Sequence, residues 1–105
     1  MTPVQIYLGV PQTVKLPVYE AKGQTTIKQM IFSNTLETEA KITVTVNTID
    51  IMKKLIVGPG ETKVIDTTIV LNPNDRLSLQ QETENAINVM INGVTESTTT
   101  ISYQQ

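Results

Sequence analysis

The stretch "LNPNDRLSLQQ", residues 71–81, holds the side chains with the best claim to chemistry in this chain. Asn72, Asn74 and Asp75 bring side-chain oxygens close together, the beginning of a calcium loop. Calcium asks for several oxygen ligands, typically more than one carboxylate, at loop spacing. Here Asp75 is the only carboxylate in the turn, Pro73 interrupts it, and no glutamate follows at an EF-hand distance. The competing reading is a corner between two strands. Pro73 then takes the second turn position, and Asn72 and Asn74 supply residues that tolerate turn conformations and bond locally. The corner explains the residues better. A calcium-dependent module would instead show a calcium-induced rise in melting temperature that disappears in Asp75→Ala.

Two acid pairs, Glu37/Glu39 and Glu82/Glu84, have the composition of a glycosidase acid and nucleophile. Each pair falls in a polar connection where carboxylates are solvated, and the chain has no Trp, one Phe and three Tyr with which to build a sugar platform. "GPGE" at 58–61 lacks the Lys-Ser/Thr ending of a phosphate loop, and no helical pattern follows it. Tyr7, Tyr19 and Tyr103 lie in the terminal segments. They read as packing at sheet edges with the hydroxyl in water, or as a small exposed cluster. Lys53 and Lys54 in "MKKL" read as a solvated turn, with an acidic partner as the sharper alternative.

Missing residue types narrow the field further. Without cysteine there is no disulfide, thiolate nucleophile or iron–sulfur ligand, and the redox compartment stays open. Without histidine the chain lacks the usual general base near neutral pH. The expectation is no catalytic, cofactor-binding or metal-binding residue. A net charge of -2 with scattered lysines is no nucleic-acid footprint. The 105 residues suit one domain, and the 39% hydrophobic content suits a folded core. No apolar run approaches a membrane span, and "MTPVQIYLGV" lacks a secretion signal, so Met1 is expected to begin the unprocessed product.

The elements that must position these residues are strands. "AKITVTVN" sends Ile42, Val44 and Val46 one way and Lys41, Thr43, Thr45 and Asn47 the other. "ETKVIDTTIVLN" puts Ile65, Thr67, Ile69 and Leu71 on one face. "RLSLQQ" alternates Leu77 and Leu79 with Arg76, Ser78 and Gln80, and "NAINVMINGV" turns Ile87, Val89 and Ile91 inward. Met90 falls on the wet face of that last strand, as tolerated exposure or as a small contact surface. In "TTIKQMIFSN" Ile27 is out of phase with Met30 and Phe32, as a β-bulge or a two-sided strand requires. Turn chemistry recurs at Gly23, "SNTLETEA", "GPGE", "NPND" and "ETEN". No segment carries a helical stripe.

Residues 1–20 differ. Val4, Ile6, Leu8 and Val10 alternate, Val14, Leu16 and Val18 keep the parity, and Pro3, Pro11 and Pro17 punctuate the series. Proline suits edge strands. The segment reads as one or two edge strands of its own domain, or as an arm pairing with a neighbouring subunit. Residues 97–105, "STTTISYQQ", read as a last strand or a β-prone tail.

The order of these features resembles small β-sandwich proteins encoded in structural gene clusters of tailed bacteriophages and prophages. Those carry an "sN" strand end, a "pget" turn, a "vLnpGDxlsv" corner and a closing "v..sGvE" strand in that order. The matching positions here, within about 25–96, are Asn34; Gly60 and Glu61; Leu71, Asn72, Pro73, Asp75, Leu77 and Leu79; and Gly93 and Glu96. Asn74 replaces the usual glycine before the corner aspartate, which keeps the turn because asparagine reaches the left-handed conformation. Thr95 is an insertion in "GVTE". The resemblance implies a virion structural or tail-accessory role and carries over no catalytic residue.

The expected fold is one all-β domain, an antiparallel β-sandwich of roughly seven or eight strands, Ig-like or jelly-roll-like. The expected function is a non-enzymatic structural or tail-accessory protein of a phage or prophage virion, made in the bacterial cytoplasm. It would act by self-assembly as a homo-oligomer and by contacts with other virion proteins, with no nucleic-acid or membrane partner. The alternative is an accessory carbohydrate-binding module that adheres to host polysaccharide through tyrosines and acids.

Overall fold

A computed structural model describes residues 2–95. They form eight strands and no helix: β1 (Thr2–Gly9), β2 (Leu16–Glu20), β3 (Thr25–Asn34), β4 (Ala40–Val46), β5 (Ile49–Val57), β6 (Thr62–Leu71), β7 (Arg76–Gln81) and β8 (Ile87–Thr95). The proposed C-terminal strand or tail at 97–105 lies outside the described residues, as do Glu96 and Tyr103.

Two four-stranded sheets form, in the orders β1-β8-β3-β6 and β2-β7-β4-β5, with every pairing antiparallel. Strand 1 lies beside 8, 2 beside 7, 3 beside 6 and 4 beside 5. A four-ribbon hairpin wrapped around a sandwich produces that order, so of the two expected architectures the chain takes the jelly roll. Successive connections alternate between the two ends. Turns at 21–24, 47–48 and 72–75 share one end, and connections at 10–15, 35–39, 58–61 and 82–86 share the other.

The core follows the alternation. Ile27, Met30 and Phe32 of β3, Ile42 and Val44 of β4, Leu71 of β6, Leu77 and Leu79 of β7, and Ile87, Val89 and Ile91 of β8 are buried between the sheets. Each large aliphatic or aromatic side chain removed from water this way stabilises the fold by about 1.5–3 kcal/mol. Ile27 keeps an inward direction despite its odd phase because the ladders from β3 to both β6 and β8 shift register between Ile27 and Gln29: exposed Lys28 is the extra residue against β8, while against β6 the extra residue lies on β6, where Thr67 and Thr68 stand against Lys28 alone. Of the two readings of this phase break, a β-bulge or a two-sided strand, the bulge is present. Opposite Ile27 sits Gly93, where a Cβ would stand 2.2 Å from the Thr26 carbonyl oxygen and 2.7 Å from Ile6 Cδ1. Only glycine fits the point where β8 meets the bulge.

Three readings change. "MKKL" belongs to β5 and is no turn: two register shifts against β4 and a left-handed Lys54 break its alternation. Thr43 and Thr45, expected to be wet, are buried. Thr45's row across the sheet runs Pro17–Ser78–Thr45–Asp50, with Lys15, two residues before Pro17, reaching Asp50 Oδ1 at 2.7 Å, while Thr43 stands beside Gln80 and accepts from Lys54 N at 3.1 Å. Finally, β1 shifts register between Gln5 and Tyr7, so the parity of the first segment breaks. Val4 and Ile6 face the core, Tyr7 packs against it, and Leu8 and Val10 are exposed. Residues 2–9 and 16–20 pair with β8 and β7 of their own sandwich, as the outer strands β1 and β2.

Candidate functional site

The corner at 72–75 is a β-turn. Asp75 N donates to the Asn72 carbonyl at 3.0 Å, Pro73 fixes the second position, and Asn74 has φ 77°. A proline followed by a left-handed residue is a type II turn. The Asp75 carboxylate is engaged at both oxygens: Asn72 N donates to Oδ2 at 2.9 Å and Asn47 Nδ2 to Oδ1 at 3.1 Å. Those bonds, the one from Asn47 first, hold the carboxyl below the usual aspartate range. Asn74 N and Asp75 O bond Ala21 O and N, which ties in the neighbouring turn. The group singled out as a metal ligand braces the fold, and no three acidic side chains converge around it among the described residues.

"GPGE" repeats the device. Glu61 N donates to the Gly58 carbonyl at 3.0 Å, Gly60 has φ 64°, and Gly58 N donates to Glu61 Oε1 at 2.6 Å. Both turns read X-Pro-(left-handed residue)-acid, and in both the acid accepts from the first residue's N–H. They stand immediately before and after β6, so the same brace frames that strand at both ends.

The two acid pairs come to one end of the sandwich, in the connections 35–39 and 82–86, and all four glutamates are exposed. Glu82 lies 3.7 Å from Lys54 Nζ in an exposed ion pair, worth little in water. Neither pair lines a cleft, and no pocket opens among the described residues. Tyr7 and Tyr19 pack against the core from the outer strands β1 and β2; burial pushes the Tyr7 hydroxyl up, and the Tyr19 hydroxyl lies 3.2 Å from Thr25 Oγ1. Arg76 Nε pairs with Glu20 Oε1 at 3.5 Å across β7 and β2.

Three structurally decisive amides escaped the sequence reading. Asn47 occupies the two-residue turn between β4 and β5 with φ 59°, and besides holding Asp75 it exchanges bonds with Arg76 through N (2.7 Å to O) and Oδ1 (2.9 Å from N). Asn34, 2% exposed, sends Nδ2 to the carbonyls of Thr38, Val57 and Gly58 and accepts from Leu36 N. Gln81, fully buried, donates to Pro11 O and accepts from Ile87 N. Only Asn47 had a local signal, as an asparagine between two apolar runs at a hairpin turn. Asn34 stood out by motif alone; Thr38 is four residues away, but Val57 and Gly58 come from the end of β5.

The surface also carries exposed apolar side chains in register. On the outer face of the first sheet, cross-strand register lines up Leu8, Met90, Ile31 and Val64, one from each strand. This row crosses the whole sheet, about 14 Å. A second row, Pro3–Val94–Thr26–Val70, lies beyond a polar one, Gln5–Asn92–Gln29–Asp66. Met90, flagged as a wet-face oddity, therefore sits half-buried beside Ile31 in the middle of a stripe whose ends, Leu8 and Val64, are exposed. Ile49, Ile51 and Ile56 are exposed on β5. No family model matches the chain, and no curated protein resembles it in sequence.

Proposed function

We propose that this chain is a non-enzymatic structural or tail-accessory protein of a bacteriophage or prophage particle, acting through surface complementarity with copies of itself and with other virion proteins. One observation carries the reading. Asp75 and Glu61 are spent on bracing turns, the other candidate acids are exposed and line no cleft, and exposed apolar side chains line up on a sheet face and at sheet edges. Contiguous exposed apolar side chains on a small domain mark contact sites. The ordered turns and strands that resemble phage structural proteins supply the particle assignment. Mass spectrometry of purified particles from cells carrying the gene is the test: the chain is expected as a stoichiometric component, and its absence from clean particles would overturn the assignment.

A further inference from the structure

Among the described residues the sandwich has four outer strands, and three of them are poor templates for another chain. β1 carries Pro3 and a register shift; β2 is five residues long with Pro17 and a register shift; β5 carries two shifts, the left-handed Lys54 and the adjacent Lys53. Proline, bulges and lysine are the usual devices that keep an edge from pairing. β6 is the exception. It shares a register shift with the other three, its Thr67 and Thr68 standing against Lys28 of β3, but it runs ten residues with no proline and no left-handed residue, and β3 is its only strand neighbour among the described residues. The two braced turns hold it extended at both ends. Lys63 is the one charge on its inward side, and its ammonium is drawn aside to the Ile56 carbonyl at 2.7 Å.

The sequence of this edge reads the same in both directions by residue class. Residues 64–70 are Val-Ile-Asp-Thr-Thr-Ile-Val, with Thr67 at the centre. The exposed valines stand symmetrically about it, Val64 53% and Val70 49% exposed. A two-fold contact requires this property, because each residue i meeting j is matched by j meeting i. We infer that β6 pairs antiparallel with β6 of a second copy about a two-fold axis through Thr67, joining two four-stranded sheets into one of eight. This narrows the self-assembly reading above, on which it rests, to one edge and one register.

In that register Val64 opposes Val70 of the second copy, Ile65 opposes Ile69 and Asp66 opposes Thr68. Residues directly opposite share a face, so apolar meets apolar on both sides of the sheet. Lys28 Nζ already sits 3.4 Å from Thr68 Oγ1, which brings it to the second copy's Asp66 twice over, once on each side of the axis. The stripe Leu8–Met90–Ile31–Val64 then continues into Val70–Thr26–Val94–Pro3 of the second copy, making one row across eight strands that is apolar except at Thr26.

Sedimentation velocity of the full chain and two variants tests the register. V64K/V70K places two like-charge pairs across the axis on exposed positions that leave the core intact, and is expected to weaken dimerisation about tenfold or more. V64K/V70E has the same number of altered residues but pairs lysine with glutamate, and is expected to restore the dimer. The protein has no cysteine, so T67C adds a single thiol on the axis, where opposite Cα atoms about 4.5–5.5 Å apart allow a disulfide. T62C, about 33 Å from its symmetry mate, is expected not to crosslink. Association that is untouched by V64K/V70K, or T62C crosslinking in preference to T67C, overturns this edge while leaving assembly intact. A wild-type chain that stays monomeric at every concentration overturns both.

Discussion

Asn47 and Asp75 meet at 3.1 Å across 28 positions of sequence, joining the turn between β4 and β5 to the corner between β6 and β7. The aspartate that looked most like a metal ligand is thus the junction of two turns at one end of the sandwich. Its partner donates to it and at the same time pairs with the backbone of Arg76.

Removing either member of that junction should lower stability without touching any binding activity. Asp75→Ala and Asn47→Ala are each expected to lower the thermal midpoint, and the double variant should lose less than the sum because the pair acts as one contact. Calcium should leave the midpoint of the wild-type chain unchanged. A calcium-dependent rise that vanishes in Asp75→Ala would restore the metal reading.

Asp75 and Asp50 give stability a definite pH dependence. Hydrogen bonds from Asn47 and Asn72 lower the first; the bonds from Lys15 and then Thr45 lower the second. A carboxyl whose folded pKa lies below its unfolded value of about 3.9 contributes fully above that value and loses its contribution as pH falls through the folded one. Denaturant midpoints should therefore be flat at neutral pH and fall below about pH 4. D50N/D75N should start lower and show a shallower acid limb.

Asn34→Ala strips the partner from three carbonyls and one N–H at a buried strand end. Unsatisfied buried groups cost about 1–3 kcal/mol each, so a loss of at least about 2 kcal/mol is expected in urea unfolding. Asn34→Asp keeps the shape but turns a carboxyl toward carbonyl oxygens, and should be no less destabilising.

Backbone positions separate sharply. Gly93→Ala drives a methyl into the Thr26 carbonyl and should cost about 1–3 kcal/mol or more, while Asn74→Gly should be tolerated because φ 77° suits glycine at least as well. Asn74→Val, β-branched in a left-handed conformation, should cost about 1–2 kcal/mol. Equal effects of the two Asn74 substitutions would contradict the type II assignment.

The sequence made the regular strands legible and left the irregular ones hidden, for physical reasons visible at particular residues. Strand β4 alternates cleanly, β7 does so through Leu79, and β6 and β8 keep the period despite apolar Val64, Val70 and Met90 on the outer face, so Ile42, Ile69, Leu77 and Ile91 announce their faces, and the Pro-Asn-Asp corner announces its turn. β5 was unreadable because bulges at Ile51 and Lys53–Lys54 destroy its period, and β1 because its bulge flips Leu8 outward while Tyr7 packs inward. Burial of Thr45, Asn34 and Gln81 depends on groups brought from distant strands, which no local pattern encodes. The meeting of the two acid pairs at one end, and the apolar row through Met90, follow from strand order, which appears only once the ribbon is wrapped.

The central claim is that this protein works through an assembling surface and not through a site. Molar mass measured by light scattering on the intact wild-type chain across a wide concentration range tests it most directly. The account predicts a mass that rises with concentration toward twice that of one chain. A mass fixed at one chain throughout would contradict it.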